Sequence, residues 1–284
     1  MYLDLCGQRV AFQDMSAPSF TEFLLSHAPQ MLPGGLWRDV PISANLAGEL
    51  PHGTTIVALT YSEGVVLASD RRATSGSLIS KRDTDKVFPC DEFCAVGIAG
   101  VLALGVEFAK LFQVEMEHYE KMEGRSLTLE GKAHRLGGMI RGNLGLALQG
   151  LVLVPLLAGY DEDSGTGRIF SYDPAGGPSE EYRFFSIGSG SVFARGALKK
   201  LYAEGMPEDE AVLCCMHALY DAADDDSATG GPDMPRRIFP IITTITNDGF
   251  RRLPEAEVAE LAGRVMAARM TSPDGPIALL RNPA

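Results

Sequence analysis

Two neighbouring runs of strand-forming residues lack the alternation of apolar and polar side chains that a half-exposed strand shows. The first run is residues 54–60 (TTIVALT) and the second is residues 65–70 (VVLASD), with the short turn 61–64 between them. So short a connection predicts an antiparallel hairpin. Because neither run alternates, both faces of this sheet must be covered, and an antiparallel protein then needs a further layer on each side.

The other predicted elements come in separate groups of strands and helices. Apolar residues at helical spacing predict consecutive helix pairs, and the turn residues Asn247-Asp248-Gly249 predict a second hairpin. Segregated groups indicate an α+β fold, and two antiparallel sheets packed face to face with a helix pair outside each give a four-layer αββα sandwich. The predicted strands are 93–98, 151–159, 167–172, 182–187, 237–246 and 249–253, and the predicted helices are 101–122, 129–147, 189–204, 207–224 and one from residue 254.

Composition excludes several classes of protein. With 284 residues, of which 45% are hydrophobic, and a net charge of −12, the chain is globular and acidic, which argues against a nucleic-acid partner. The longest uncharged stretch, 142–160, is interrupted by Gln149, Gly150 and Pro155, so a membrane span is not expected. The N-terminus lacks a secretory signal, and the five Cys residues form no CxxC pair, which together predict a cytoplasmic protein.

Familiar catalytic and cofactor motifs are absent from the sequence. The five His residues include no pair at i,i+4 spacing, so neither a metal site nor a Ser-His-Asp triad is expected. Residues 188–191 (GSGS) match no nucleophile motif and predict a helix start. The run Asp224-Asp225-Asp226 is, on local grounds, a solvated face past a helix end.

Residues 1–53 differ from the rest of the chain. Scattered prolines separate short apolar pieces, and the only Trp, Trp37, lies here. Composition alone favours an ordinary N-terminal extension over a removable leader, but the residues at its end, Gly53-Thr54-Thr55, change this interpretation. A Thr at a chain's own N-terminus can act as a nucleophile because its free amino group is a base within reach of its own hydroxyl.

Three further features support Thr54 as a nucleophile. Asp70 closes the second strand of the hairpin, so it can lie beside the start of the first strand. A buried Lys86 paired with Asp70 would place a positive charge beside the Thr54 hydroxyl and favour its deprotonation. Gly100 ends a strand and opens a helix, where a backbone N–H can point at an oxyanion.

At these residues the sequence resembles the β-subunits of the 20S proteasome, of the actinobacterial type with a long propeptide, within the N-terminal-nucleophile hydrolases. The resemblance extends from Thr54 to about Glu260. The matching segments are 53–55 (GTT), 69–73 (SDRRA), 85–89 (DKVFP), 97–100 (GIAG), 188–191 (GSGS) and 226–231 (DSATGG).

The resemblance implies a threonine endopeptidase and assigns roles residue by residue. Thr54 would be the nucleophile after autocatalytic cleavage at Gly53–Thr54, with residues 1–53 as propeptide, 54–284 as catalytic domain and a flexible tail from about 271. Thr229 stands where the family usually has Ser. The other implied catalytic residues are Asp70 and Lys86 as charged partners, Gly100 as oxyanion donor, and Ser189, Asp226 and Thr229 around the amino group.

The resemblance also implies how substrates and partners bind. Thr74 and Leu102 would bind the peptide as an added strand, and Ala73, Ile98 and Val106 would line an apolar first specificity pocket. The implied partners are a homoheptameric β-ring stacked on a second one, α-subunit rings, and an ATP-dependent unfoldase that delivers unfolded polypeptides. No metal or organic cofactor is implied.

Three alternatives remain open from the sequence. Another N-terminal-nucleophile hydrolase, such as the two-tier bacterial ATP-dependent peptidase, would share Thr54 but normally has almost no propeptide and a shorter chain. A catalytically silent ring subunit is disfavoured by the presence of Thr54, Asp70 and Lys86 together. A binding module would keep its N-terminus unprocessed, which an intact mass would reveal.

Overall fold

The computed structural model describes residues 19–35 and 53–276. The remaining residues of the predicted leader, Trp37 among them, and the end of the predicted tail from residue 277 lie outside the described residues. The strands are β1 Thr55–Tyr61, β2 Gly64–Ser69, β3 Ala73–Ser75, β4 Leu78–Lys81, β5 Val87–Asp91, β6 Cys94–Gly100, β7 Leu153–Asp161, β8 Thr166–Tyr172, β9 Pro178–Glu180, β10 Phe184–Gly188, β11 Ile241–Thr246 and β12 Gly249–Arg252. The helices are α1 Phe20–His27, α2 Leu102–Glu123, α3 Leu129–Gly142, α4 Leu144–Ala147, α5 Ser191–Leu201, α6 Glu208–Asp225 and α7 Glu255–Thr271, with a 3₁₀ turn at Pro29–Met31.

Two five-stranded antiparallel sheets form the centre of the fold. One has the order β10-β1-β2-β11-β12, and the other has the order β5-β6-β7-β8-β9. Both predicted hairpins are confirmed, since β1 pairs with β2 and β11 with β12. Gly64 is required at the first turn because a Cβ there would lie 2.1 Å from the carbonyl oxygen of Ile245.

The sheets pack face to face, and helices cover their outer faces. The apolar core between the sheets includes Ile56, Leu67, Leu156 and Ile241, all fully or nearly fully buried. Helices α2 and α3 pack on the sheet that contains β6, and α5, α6 and α7 pack on the sheet that contains β1. The four-layer αββα sandwich is therefore confirmed, with three helices on one side where the sequence predicted a pair. Four layers explain why β1 and β2 carry apolar residues on both faces.

Some predicted boundaries are wrong for local reasons. The helix predicted over 129–147 is divided at Asn143, whose side-chain amide donates to the carbonyl of Met139. The strand predicted from residue 237 begins only at Ile241, because Arg237 has a φ of 56° and Pro240 has no N–H for a ladder. At the other end, α7 continues to Thr271, and the following turn is held by Arg269, which donates to the carbonyl of Pro273.

The short hairpin β3–β4 and strand β5 were not predicted. They connect the end of β2 to the second sheet, and β5 begins directly after Lys86. This connection brings the start of β1, the end of β2 and the start of β5 to one end of the sandwich. In the part of the chain that the structure describes, no helix combines the length and hydropathy needed to cross a membrane.

Candidate active site

Thr54 lies directly before β1 and is 5% exposed. Asp70 directly follows β2 and is fully buried. The hairpin register pairs Ile56 with Ser69, so the two strand ends meet, and the N–H of Thr55 donates to Asp70 Oδ1 at 2.8 Å. The structure therefore brings the predicted nucleophile and its predicted acidic partner together.

Lys86 reaches the same point from the start of β5 and is 2% exposed. Its Nζ donates to Asp70 Oδ1 at 2.7 Å, to the carbonyl oxygen of Gly53 at 3.0 Å, and to the carbonyl oxygen of Arg72. Burial lowers the pKa of Lys86 below its ordinary value, while the charge of Asp70 opposes this shift. Removal of either partner would leave an uncompensated buried charge, at a cost of about 3–5 kcal/mol.

Asp70 is held by more than the ion pair. Its second oxygen, Oδ2, accepts from the backbone N–H groups of Arg72 at 2.8 Å and Gly230 at 3.0 Å. Four donors thus surround one buried carboxylate, which satisfies its hydrogen-bonding capacity. The carboxylate therefore fixes both Lys86 and the loop that begins at Asp226.

The carbonyl oxygen of Gly53 accepts hydrogen bonds from two side chains of the site. It accepts from Thr54 Oγ1 at 2.5 Å as well as from Lys86 Nζ at 3.0 Å. Gly53 has a φ of +93°, and a Cβ on it would lie 2.6 Å from Thr74 Oγ1 and 2.9 Å from Ala228 Cβ. Only Gly fits this position, and it directs the carbonyl of the Gly53–Thr54 bond at a hydroxyl and an ammonium group together.

Ser189, Asp226 and Thr229 form a hydrogen-bond network on the other side of Thr54. Ser189 Oγ and Thr229 Oγ1 each donate to Asp226 Oδ2 at 2.6 Å. The N–H of Ser189 donates to the carbonyl oxygen of Thr54 at 2.9 Å, which ties the network to the predicted nucleophile. Thr229 thus reaches the carboxylate with its hydroxyl, as the Ser implied by the resemblance would do.

Thr55 extends this network. Its hydroxyl lies 2.6 Å from Thr229 Oγ1 and accepts from the N–H of Gly190 at 3.1 Å. Since the hydrogen of the Thr229 hydroxyl goes to Asp226, Thr55 is the donor to Thr229. The chain of hydrogen bonds therefore runs in one direction, from Gly190 through Thr55 and Thr229 to Asp226.

Gly100 lines two cavities together with Thr54. Its φ is +115°, and a Cβ on it would lie 2.1 Å from the carbonyl oxygen of Val152, so no other residue fits. Gly100 is the last residue of β6, two residues before α2 begins, and it lies at the edge of both cavities.

The first cavity has a volume of about 10 Å³, roughly room for one water molecule. The predicted pocket residues Ala73, Ile98 and Val106 line it. Of the two residues predicted to bind the peptide backbone, Leu102 also lines it, and Thr74 lies in β3 beside Gly53. The second cavity, of about 360 Å³, lies on the side of Thr54 that carries Ser189. Its other lining residues include Gly150, Val152, Val154 and Ala228.

Sequence reasoning missed two residues of this site, Arg72 and Phe88. Arg72 Nη1 donates to the carbonyl oxygens of Ser227 and Thr229, each at 3.1 Å, so it connects Lys86 to the loop of Asp226. Phe88 lines the first cavity beside Lys86. Arg72 lies within the matching segment 69–73 and Phe88 within the matching segment 85–89. Their closeness in sequence to Asp70 and Lys86 is the feature that could have marked them as site residues.

Comparisons with known proteins agree with this geometry. The family model described as "Proteasome subunit" matches residues 50–233. "Proteasome subunit beta" of Streptosporangium roseum and that of Streptomyces griseus subsp. griseus are each 57% identical over 270 residues, covering 95% of this chain and 95% of the relative. "Proteasome subunit beta 2" of Thermomonospora curvata is 54% identical over 275 residues, covering 97% of each chain.

These matches extend beyond the sandwich itself. Only 231 residues follow Gly53 (284 − 53), so an alignment of 270 residues reaches well into the segment before Thr54. Family membership and the catalytic class follow from identity at this level over nearly the whole length of both proteins. The chain belongs to the proteasome β-subunit family and is a proteolytic subunit of the threonine-peptidase type.

Proposed function

We propose that the chain is made as a precursor and that Thr54 becomes the catalytic N-terminus after self-cleavage of the Gly53–Thr54 bond. Residues 1–53 would be the propeptide and residues 54–284 the catalytic domain. The observation that carries this proposal is the convergence of Thr54 Oγ1 and Lys86 Nζ on the carbonyl oxygen of Gly53. A nucleophile and an electrophilic donor already lie at the bond that must break.

The first reaction is an intramolecular acyl shift followed by hydrolysis. Thr54 Oγ attacks the carbonyl carbon of Gly53, and Lys86 stabilises the negative charge that develops on the oxygen. The C–N bond then breaks, the hydroxyl proton goes to the Thr54 nitrogen, and an ester joins Gly53 to the Thr54 oxygen. Water hydrolyses this ester, releases residues 1–53 and leaves a free amino group on Thr54.

The mature enzyme uses that amino group as its base. It takes the proton from Thr54 Oγ, directly or through water, while the oxygen attacks the scissile carbonyl of a bound peptide. The N–H of Gly100 stabilises the tetrahedral oxyanion, and water then releases the acyl-enzyme. Ser189, Asp226 and Thr229 orient the amino group, because their network is bonded to the Thr54 backbone.

Substrates are polypeptides bound as an added strand through the backbones of Thr74 and Leu102. The side chain before the scissile bond enters the cavity lined by Ala73, Ile98 and Val106. Since Gly53 lines this cavity in the uncleaved chain, departure of the propeptide enlarges it. An apolar lining favours cleavage after hydrophobic residues.

The chain assembles with α-subunits into the proteasome core, as expected of a proteasome β-subunit. Within that core we propose a homoheptameric β-ring stacked on a second β-ring, between α-subunit rings. An ATP-dependent unfoldase bound to the α-ring delivers unfolded proteins, and the particle acts in the cytoplasm. The acidic charge of −12 supports the absence of a nucleic-acid partner.

Peptide hydrolysis by the assembled particle tests the proposed activity. We expect wild type to cleave fluorogenic peptides with an apolar residue before the scissile bond at least about tenfold faster than basic or acidic analogues. The reason is that Asp85 and Lys86, the charged residues that line the cavity, already have ion-pair partners in Arg252 and Asp70, so a further buried charge would be left unpaired. The Thr54→Ala variant is the matched control and should be inactive. A preference for basic or acidic peptides would contradict the pocket assignment, and activity of Thr54→Ala would contradict the nucleophile.

A further inference from the structure

Thr55, the residue directly after the proposed nucleophile, is fully buried and connects two parts of the site. Its backbone N–H donates to Asp70 Oδ1 at 2.8 Å, and its carbonyl oxygen accepts from the N–H of Asp70 at 3.2 Å. Its hydroxyl bonds to a different segment, since it lies 2.6 Å from Thr229 Oγ1. Thr55 therefore ties the start of β1 both to Asp70 and to the loop that carries Asp226.

Cleavage at Gly53, as proposed above, would make Thr54 the end of the chain. A terminal residue frays unless it and its neighbours are tied down. On the side of Thr54 that remains, its carbonyl oxygen accepts from the N–H of Ser189 at 2.9 Å. The next anchor along the chain is Thr55, so the bonds of Thr55 limit where the new amino group of Thr54 can lie.

The hydroxyl of Thr55 transmits polarity in one direction. It accepts from the N–H of Gly190 at 3.1 Å, and Thr229 gives its own hydrogen to Asp226 Oδ2 at 2.6 Å, so the hydrogen of Thr55 goes to Thr229. A hydroxyl that receives a hydrogen bond becomes a stronger donor in turn. The Thr55 hydroxyl therefore strengthens the bond from Thr229 to Asp226.

Close packing around the two hydroxyls leaves no room for another arrangement. Gly190 stands directly before α5, and a Cβ on it would lie 2.4 Å from Thr55 Oγ1 and 2.9 Å from Thr229 Oγ1. Thr55 and Thr229 are both fully buried. Loss of the Thr55 hydroxyl would thus leave the N–H of Gly190 without this acceptor and Thr229 without this donor, in a place where water does not replace them.

We propose that Thr55 is a positioning residue for the peptidase reaction, acting through the hydroxyl of Thr229 on Asp226. This inference rests on the proposed role of Thr54 as the nucleophile. Together with its backbone bonds to Asp70, the Thr55 hydroxyl holds the first residue of the cleaved chain between two carboxylates. The amino group of Thr54 then stays within reach of its own hydroxyl, as its use as a base requires.

Peptide hydrolysis by particles assembled from full-length chains and α-subunits measures this role. Thr55→Val removes the hydroxyl and keeps the shape of the side chain. We expect kcat to fall about tenfold with little change in KM, because the change disturbs the reacting groups and not the binding of substrate. Thr55→Ser restores the hydroxyl and should recover kcat to within about threefold of wild type.

A double variant shows whether Thr55 acts through Thr229. Thr229→Val should lower kcat at least as much as Thr55→Val, because it removes the hydroxyl that contacts Asp226. The double variant should be no slower than Thr229→Val alone, since the chain of hydrogen bonds is already broken there.

Thr243→Val is the matched control. Thr243 lies in β11 of the same sheet, is also fully buried, and donates its hydroxyl to the carbonyl oxygen of Leu67 at 2.7 Å. This variant also loses one buried hydroxyl bond, so it should lower the free energy of unfolding about as much as Thr55→Val while kcat stays near that of wild type.

Intact mass, recorded for every particle, reports cleavage at Gly53 separately from turnover. If wild type hydrolyses peptides but keeps residues 1–53, the proposed maturation fails, while the comparison of kcat values still decides the role of Thr55.

Four results would overturn the proposal. One is a wild-type kcat in Thr55→Val. Another is a double variant whose loss equals the product of the two single losses, which would mean that the two hydroxyls act independently. The third is an equal fall in kcat for Thr243→Val, which would assign the effect to general loss of stability. The fourth is a Thr55→Ser particle as slow as Thr55→Val, which would assign the effect to the methyl group.

Discussion

Lys86 has three ammonium hydrogens and three acceptors: Asp70, the carbonyl of Arg72 and the carbonyl of Gly53. A buried ammonium is thereby fully satisfied. All three hydrogens are committed, so Lys86 donates to the carbonyl of the bond whose cleavage we propose, and the Thr54 hydroxyl donates to that same oxygen. The charged form of Lys86 is the one that polarises this carbonyl.

The pH dependence of self-cleavage should therefore show an alkaline limb. Burial lowers the pKa of Lys86 from the ordinary 10.5, so raising the pH neutralises the ammonium earlier than for an exposed lysine. We expect the rate of precursor cleavage, followed by mass from about pH 6 to about pH 11, to fall with a midpoint below 10.5. Lys86→Arg keeps its charge throughout, so any residual cleavage should lack this limb. A rate that rises through the titration of Lys86 would mean that the lysine acts as a base instead.

Arg72 is expected to act as a positioning residue for the loop that carries Asp226 and Thr229. Its Nη1 donates to the carbonyl oxygens of both Ser227 and Thr229, and a Lys side chain ends one bond earlier, so its ammonium group does not reach the same position. We expect Arg72→Lys to lower kcat for peptide hydrolysis about tenfold with little change in KM, the equivalent of about 1.4 kcal/mol.

Arg71→Lys provides the matched control for Arg72. Arg71 forms ion pairs with Asp83 and Asp85. Within the described residues, none of its ion pairs involves the loop that carries Asp226 and Thr229. Its variant should retain nearly all of the wild-type kcat. If both variants lose activity equally, the loss reflects general damage to the segment 69–73 and the positioning role of Arg72 is wrong.

Among the elements, α6 and α7 are joined by a buried polar cluster. Arg269 on α7 is 6% exposed, donates to Asp221 and to His217 Nδ1 on α6, and lies over the ring of Tyr220. Burial and the neighbouring Arg269 lower the pKa of His217 to about 4. His217 is therefore neutral in the folded protein at neutral pH and accepts from the guanidinium.

Acidification should loosen this helix pair. In the unfolded chain His217 becomes protonated below pH 6.5, whereas in the folded chain it stays neutral down to about pH 4. The free energy of unfolding therefore falls as the pH drops through this window, by at most about 3 kcal/mol. His217→Asn keeps an acceptor for Arg269 and removes the titration. Denaturant unfolding of both proteins at several pH values gives the difference, which isolates His217 from Asp221, whose pKa burial raises. A pH-independent difference would contradict the expectation.

The elements that could be predicted are those whose own residues show a clear apolar pattern or a recognisable turn. The hairpin β1–β2 is apolar on both faces and has a short turn, so its existence and its covering layers were predictable. Strand β4 is exposed at all four residues and has no apolar pattern, and α1 is stabilised by packing on α2 rather than by its own sequence. In the active site, the adjacency of Asp70 to Thr54 follows from the hairpin, whereas the third acceptor of Lys86 and the reach of Arg72 depend on tertiary packing.

At the scale of the whole molecule, the proposed cleavage divides the chain at Gly53 into a leader and a sandwich. Of the net charge of −12, the leader carries −3 (five acids against Arg9 and Arg38) and residues 54–284 carry −9. The bond between the two parts lies inside the active site, since Gly53 lines both cavities at Thr54. Under the proposed self-cleavage, the first substrate of this active site is the molecule's own backbone.

Intact mass of the assembled protein tests this account most directly. After mixing with α-subunits, wild type should lose residues 1–53 and give a chain that begins at Thr54, while Thr54→Ala should keep its full length because it lacks the attacking hydroxyl. Thr54→Ser, which keeps a hydroxyl, should still be cut at the same bond. A wild-type particle that assembles and retains all 284 residues would contradict the central claim.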